Sequence, residues 1–154
     1  MQFNTDPCPC PIEKPEYFEV RGKCFYTDNT TRNFDDSQVH CKEIFPHGGR
    51  LFEPRDVSTK EIVKAYKRYN NDSVPSAWIG ITDRSSQGNY RYESDNGQLT
   101  VSQWRSGQPN DDNDHCVILC NGSNGEWCDY ACSESENSAN YQFIASYPFC
   151  ERTY

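Results

Sequence analysis

The sequence predicts an α+β fold with two helices and short antiparallel β-strands. Two stretches of helical periodicity lie in the first half of the chain, and short β-branched and aromatic runs fill the second half. Nine cysteines are spread along the 154 residues, so disulfide bonds are expected to close the chain into one unit. We therefore expect a tail at residues 1–9 and a single domain at residues 10–154.

The composition is typical of a secreted protein. One methionine, nine cysteines and a mean hydropathy of −0.95 indicate a chain stabilised by cross-links as well as by packing. Three glycosylation acceptor triplets agree with this compartment, at Asn29, Asn71 and Asn121. The first residues contain no signal peptide, and no apolar run reaches membrane-spanning length. We expect an extracellular glycoprotein with no membrane insertion.

The charge and the histidines disfavour three classes of function. A net charge of −8 and a pI near 4.8 oppose binding to nucleic acid or anionic membranes, which draws on clustered Lys and Arg. An enzyme is disfavoured because His40, His47 and His115 have no nucleophile and acid grouped with them. A cation or a neutral ligand is the better expectation.

The first predicted element is a short hairpin. The segment VRGKCFY, residues 20–26, alternates in strand fashion around a turn at Gly22. A disulfide between Cys10 and Cys24 would clip this hairpin to the chain that precedes it.

A first helix is predicted within NFDDSQVHCKEIF, residues 33–45. Either Asn33 or Asp35 can cap its start. The face expected to be buried consists of Phe34, Val39, Cys41, Ile44 and Phe45.

A second helix is predicted at residues 59–69. Ser58 and Glu61 have the spacing of a capping box, in which each side chain bonds to the other residue's backbone N–H. The apolar stripe consists of Ile62, Val63, Ala65, Tyr66 and Tyr69.

From residue 77 onward the pattern predicts strands and long loops. The candidate strands are AWIGIT, YRYE, HCVILC and EWCDYAC, and they are separated by clusters of Gly, Asn, Ser and Pro. We expect Trp78, Trp104 and Trp127 to belong to the core, because they lie in or beside these apolar runs.

Two segments of this second half carry a concentration of oxygen-bearing side chains. GQPNDDNDHC, residues 107–116, and GEWCDYAC, residues 125–132, together hold five acids and three side-chain amides. Calcium takes about six to eight oxygen ligands, which a loop and an adjoining strand can supply. The alternative is a solvated loop of turn-forming Asn and Asp.

Several spaced motifs identify a family. WIGITD, QW before GQPN, DHCVIL, GEWCD and a final FCE occur in the order of a C-type lectin-like domain, and the chain resembles its long form over residues 10–151. Within that family the chain resembles secreted invertebrate C-type lectins. The resemblance implies two helices, short antiparallel sheets and a long ligand-binding loop.

The resemblance also implies a disulfide framework. It pairs Cys10 with Cys24, Cys41 with Cys150, and Cys116 with Cys132. Cys120 and Cys128 then remain on either side of an Asn/Gly-rich turn, and a bridge across that turn is the simplest assignment.

The ninth cysteine, Cys8, has two interpretations. It is a redundant or alternative partner of Cys24, or it links two copies into a disulfide-bonded homodimer. Zinc binding by Cys8 and Cys10, or by Cys128 and Cys132, is disfavoured where disulfides form.

The family's calcium ligands are carried over position by position. The matching residues are Gln108, Asn110, Asp114, Cys128 and Asp129. The tripeptide QPN has an amide at both ends, whereas relatives use Glu-Pro-Asn for mannose-type or Gln-Pro-Asp for galactose-type sugars, so the sugar is not specified. Cys128 stands where relatives have Asn, which removes one oxygen ligand.

Further acids extend this set. Asp111 is a candidate for the same ring because the loop is short. Asp83, with Asp111 and Asp114, matches an auxiliary calcium site in some relatives, although Gln87 and His115 replace two of its acids.

The function implied by the resemblance is calcium-dependent binding of glycans or glycoproteins. Bound Ca²⁺ would coordinate two sugar hydroxyls that also bond to Gln108, Asn110 and Asp114, as in defence or particle-binding lectins. Tyr130 either packs against the sugar ring or is an ordinary strand residue. The alternative function is a lectin-like module without sugar binding that recognises protein, ice or mineral surfaces.

Overall fold

The computed structural model describes residues 8–133 and 146–153, and it confirms the predicted α+β class. Residues 1–7 of the predicted tail lie outside this range. The helices are α1 (Phe34–Ile44) and α2 (Thr59–Tyr69). The strands are β1 (Tyr17–Val20), β2 (Lys23–Tyr26), β3 (Gly49–Leu51), β4 (Ala77–Thr82), β5 (Arg91–Tyr92), β6 (Cys116–Leu119), β7 (Trp127–Tyr130), β8 (Tyr147–Pro148) and β9 (Cys150–Arg152).

The first sheet joins the two ends of the domain. Its strand order is β1-β2-β9-β3, and all of its neighbouring pairs are antiparallel. The hairpin predicted around Gly22 is confirmed: Arg21 and Gly22 have φ of 50° and 79°, which suits the tight turn between twisted strands. Because β9 lies between β2 and β3, the end of the domain is held against its beginning.

The second sheet supports the long loop. Its order is β5-β4-β6-β7, with β8 parallel to one edge of β4. All six residues of β4 are buried, which explains the continuous apolar run AWIGIT. Trp78 and Trp127 are buried as predicted, whereas Trp104 is half-buried and packs edge-on against Trp127.

Helix α1 has the predicted position but not the whole predicted face. Asn33 caps its start by accepting the N–H of Asp36 through its side chain at 2.8 Å. The prediction that Val39 is buried is wrong, since 57% of its surface is exposed. The helix instead buries Ser37 beside Phe34 and Cys41, so the buried stripe is narrower and rotated away from Val39.

Helix α2 spans the predicted residues, but its predicted capping box is wrong. The Ser58 side chain makes no cap hydrogen bond to the helix and instead donates to Asp56. Glu61 turns away from the helix start and pairs with Arg21 of the first hairpin. The spacing of Ser58 and Glu61 therefore identified the helix start without the bonding that usually accompanies it.

Four disulfides link the described residues in the predicted pairs. They are Cys10–Cys24, Cys41–Cys150, Cys116–Cys132 and Cys120–Cys128. Cys8 is an exposed free thiol whose carbonyl accepts a hydrogen bond from Arg152. Neither helix of the described part is long and apolar enough to cross a membrane.

Candidate functional site

One carboxylate of β7 holds the predicted loop against the second sheet. The oxygens of Asp129 accept the backbone N–H of Asn110 at 3.2 Å and of Asp111 at 3.0 Å. In return, the side-chain oxygen of Gln108 accepts the N–H of Asp129 at 3.3 Å. The peptide bond between Gln108 and Pro109 is cis. The structure thus brings both ends of the QPN tripeptide to Asp129.

Asp114 lies at the end of the same loop and is 4% exposed. Its backbone N–H donates to the Asp111 carbonyl at 3.0 Å, and its own carbonyl accepts the hydroxyl of Tyr90 at 2.9 Å. Within the loop, the Asp111 carboxylate accepts the N–H of Asn113. These bonds fold residues 108–114 into a compact turn that ends where β6 begins.

Tyr90 lies within electrostatic reach of acids from both sides of the loop. Burial raises the pKa of its hydroxyl, and the negative charges of four aspartates raise that pKa further: Asp83, Asp129, Asp114 and Asp111. Sequence reasoning missed Tyr90, because nothing in its short aromatic run distinguishes it from a packing residue. Its hydroxyl donates to the Asp114 carbonyl, and the charges of the separate acidic segments act on it.

The charge of Asp129 is incompletely compensated. Burial raises its pKa above the usual value, the backbone N–H groups of Asp111 and Asn110 oppose this rise, and the Asp111 charge adds to it. A buried carboxylate that receives only amide hydrogen bonds is stabilised by a nearby cation. The donor set therefore fits a hard cation chemically: two buried carboxylates, with amide oxygens on the same loop.

The auxiliary group of acids is arranged differently. Asp83 is buried, and its two oxygens accept from the His115 ring at 2.9 Å and from the Gly88 N–H at 2.8 Å. In residues 8–133 and 146–153, no three His, Cys, Asp or Glu side chains are grouped so as to hold a metal ion. The finding applies both to Asp83, Asp111 and Asp114 and to Asp111, Asp114 and Asp129, so the oxygen ligands around Asp129 would have to include side-chain amides as well.

The two neighbours of Asp129 in β7 make contacts away from the loop. Cys128 is bonded to Cys120, across the turn between β6 and β7. Tyr130 packs its ring against Trp78, with centroids 5.8 Å apart. Successive strand residues point to opposite faces of a sheet, so Tyr130 lies on the other side of β7 from Asp129. This placement agrees with the interpretation of Tyr130 as a strand residue.

Comparison with known proteins places the fold and the loop in one family. The Lectin C-type domain family matches residues 30–139. Collectin-11 of Danio rerio is 28% identical over 116 residues, which cover 74% of this chain and 40% of that protein. A perlucin-like protein of Mytilus galloprovincialis is 25% identical over 133 residues, covering 86% and 81%. The chain thus spans about two-fifths of the collectin.

Solved structures share the fold at lower identity. The mouse scavenger receptor C-type lectin carbohydrate-recognition domain has a TM-score of 0.69 at 22% identity, covering 93% of this chain and 95% of that one. The lectin CEL-I of Cucumaria echinata has a TM-score of 0.70 at 15% identity, covering 97% and 99%. Herring type II antifreeze protein has a TM-score of 0.68 at 19% identity, covering 93% and 98%.

The family assignment rests on the extent of the match. The matched segment, residues 30–139, is well over half of the 154 residues and contains both helices, the second-sheet strands β4 to β7 and the acidic loop. Members of this family are generally non-enzymatic binding proteins. The chain belongs to the C-type lectin domain family.

Proposed function

We propose that this domain is a secreted, calcium-dependent lectin that binds glycans or glycoproteins through the loop at residues 108–114 and performs no catalysis. The observation that carries the proposal is the buried Asp129, whose carboxylate holds Asn110 and Asp111 by their backbone while its pKa is raised. The Gln108 side chain and the Asn110 backbone thereby lie beside a negative charge whose pKa is raised.

The residues that would hold calcium are Gln108, Asn110, Asp111, Asp114 and Asp129. Calcium would supply positive charge and coordination positions for two adjacent sugar hydroxyls. Each amide of Gln108 and Asn110 can donate through nitrogen and accept through oxygen, so both can bond to a hydroxyl. Asp83 is engaged by the His115 ring and the Gly88 N–H, so it is not assigned to this set.

The extracellular setting is part of the proposal. Four disulfides require an oxidising compartment for their formation, and the acceptor residues Asn29, Asn71 and Asn121 are all exposed. Single sites of this kind bind monosaccharides weakly, so a second copy linked through the exposed Cys8 would raise avidity. Such a lectin would suit particle binding in innate immunity.

A calcium titration by calorimetry tests the proposal. The oxidised protein is titrated alongside Asp129→Asn and Asp114→Asn, and Asp112→Asn is the control, because Asp112 is an exposed acid of the same loop. We expect saturable binding that is weakened at least tenfold in the first two variants and unchanged in the control. A sugar panel is then screened with calcium and with EDTA. Absence of binding up to millimolar calcium would exclude the calcium-dependent mechanism.

One observation favours a second candidate, a module that binds a protein, ice or mineral surface without sugar. The Cys120–Cys128 disulfide occupies a position where relatives have an oxygen ligand. Structures with this fold include a calcium-independent type II antifreeze protein and human lithostathine. Binding to such a surface that persists in EDTA and in Asp129→Asn would support this candidate over the lectin.

A further inference from the structure

A cavity of about 320 Å³ lies between α2 and the turn that joins β6 to β7. Its lining includes three lysines of the helix, Lys60, Lys64 and Lys67, with Val63 between them. The opposite wall carries two amides, Gln103 and Asn124. None of these residues belongs to the loop set around Asp129.

The wall opposite the helix is fixed in place. Gly125 has φ of 95° and packs so closely on Val63 that a Cβ on the glycine would overlap the valine methyl group. The Cys120–Cys128 bridge closes the turn that contains Gly125. Lys67 donates to the side-chain oxygen of Asn124 at 3.2 Å. This hydrogen bond links the helix to the opposite wall of the cavity. The Cys120–Cys128 disulfide therefore helps to form a wall of this cavity, which lies apart from the loop at residues 108–114.

The cavity is a local concentration of positive charge on an acidic protein. The three lysines follow one helix face at intervals of four and three residues, so the first and last are separated by about 10 Å along the axis. In the described residues none of the three lysines forms an ion pair; Glu61 pairs with Arg21, although the charge of Lys64 also helps to lower the Glu61 pKa. Arg105 adds charge nearby by donating to the Asn121 carbonyl of the same turn.

We propose that this cavity is a second binding site, for a linear sugar chain that carries sulfate or carboxylate groups. The lysine row matches successive anionic groups along an extended chain, and the net charge of −8 is screened beyond roughly 8 Å at physiological salt. Val63 and the lysine stems give an apolar surface for sugar-ring faces, while Gln103 and Asn124 can bond to hydroxyls. An acidic peptide could also pair with the lysines and the amides, but it offers no sugar-ring faces for the apolar surface.

Calorimetry with defined oligosaccharides tests this site on the whole oxidised protein in EDTA. The probes are a heparin-derived tetrasaccharide, a hyaluronan tetrasaccharide that carries only carboxylates, a neutral tetrasaccharide and a tetraglutamate peptide. The variant is Lys60→Gln/Lys64→Gln, which retains the Lys67 bond to Asn124. The control is Lys14→Gln/Lys42→Gln, which removes the same charge from exposed lysines outside the cavity.

We expect the heparin probe to bind at 150 mM salt, with affinity reduced at least tenfold in the cavity variant and less than twofold in the control. Lysines that bind anionic groups release counterions. The slope of log K against log salt concentration should therefore be smaller in magnitude, by roughly 1.5 to 2, for the cavity variant. If hyaluronan also binds, carboxylate groups are sufficient for recognition. If hyaluronan does not bind, recognition requires sulfate groups. Equal losses in both variants, tighter binding of tetraglutamate, or no heparin binding would overturn the proposal. Because EDTA removes calcium in every titration, these outcomes do not depend on whether the loop at residues 108–114 binds calcium.

Discussion

Two aspartates of this chain, the half-buried Asp28 and the buried Asp129, are held in opposite ways. Asp28 accepts from the Tyr26 hydroxyl at 2.7 Å and from the Arg32 guanidinium at 3.0 Å. Burial raises its pKa, but the hydrogen bonds from Tyr26, Arg32 and the Thr30 N–H outweigh burial, and the net pKa is lowered. Asp129 receives only backbone N–H groups, and its pKa is raised. Compensated charge is typical of a structural residue, and uncompensated charge is typical of a binding site.

At the residue scale, Asp28→Asn should cost about 1–3 kcal/mol at pH 7, because it removes a charged acceptor from its donors. The folded pKa lies below the unfolded value of 3.8, so this stabilisation is present above that value and is lost as the pH falls through the folded pKa. Denaturant unfolding at pH 7 and at decreasing pH measures the difference between variant and wild type. We expect the difference to shrink below pH 3.8, and a constant difference would contradict the assignment.

The candidate ligands at this scale could be predicted from the sequence, but their arrangement could not. The resemblance supplied Gln108, Asn110 and Asp129, and the structure brings all three together. Asp83 is of a residue type that can bind calcium. Its hydrogen bond to His115, however, forms only when folding brings the end of β4 next to the end of the loop. Tyr90 carries no sequence signal, because its bond to the Asp114 carbonyl and the effect of four acids on its pKa arise only in the folded chain.

At the scale of elements, the two helices begin by different means. The Asn33 side chain accepts a backbone N–H of α1, while the Ser58 side chain leaves α2 uncapped. We therefore expect Asn33→Ala to lower the free energy of unfolding by about 1 kcal/mol and Ser58→Ala to lower it by less than about half of that. Urea unfolding of both variants measures the contrast. Equal losses would mean that Ser58 does cap α2 in solution.

Element positions were predictable where the pattern was long enough. Both helices and strands β4, β6 and β7 have strong periodic or apolar runs, and the structure confirms them. Strand β3 was not predicted, because its three residues are too few to alternate and begin with glycine. That glycine is required by packing: a Cβ on Gly49 would overlap the Cys41 carbonyl of α1. Such a contact exists only after α1 and β3 have met.

The turn between β6 and β7 allows a test of the missing calcium ligand. In Cys120→Ser/Cys128→Asn an amide oxygen replaces the bridge, and in Cys120→Ser/Cys128→Ala the bridge is lost without that oxygen. Loss of this short bridge should cost both variants about 2–3 kcal/mol. Because Cys128 and Tyr130 pack against the same core cluster, on the face of β7 opposite to Asp129, an Asn at position 128 should not reach the loop, and the two variants should bind calcium with affinities within about twofold of each other. Calcium binding about tenfold tighter in the Asn variant, equivalent to about 1.4 kcal/mol, would show that position 128 does supply a ligand.

At the scale of the whole molecule, the fold is completed by its last described strand. β9 inserts between β2 and β3, and the preceding Phe149 stacks on Tyr66 and Phe52 with ring centroids 4.6 and 4.9 Å apart. The core therefore combines α2, the first sheet and the C-terminal segment. The family resemblance predicted this closure through the Cys41–Cys150 pair, whereas local sequence patterns could not, since these residues are 109 positions apart.

The long disulfide should consequently stabilise the domain more than a short one of equal burial. Cys41–Cys150 and Cys116–Cys132 join residues that are all 0% exposed, but their sequence separations are 109 and 16. A cross-link restricts the unfolded chain more as the loop it closes lengthens, which predicts about 4.8 kcal/mol for the first and about 3 kcal/mol for the second. The two disulfides are compared by guanidinium unfolding of Cys41→Ala/Cys150→Ala and of Cys116→Ala/Cys132→Ala, which gives the loss of unfolding free energy for each. Both variants remove the same side-chain atoms from buried positions. A larger loss in the second variant would show that local packing around β6 and β7, rather than chain closure, dominates the stability of this fold.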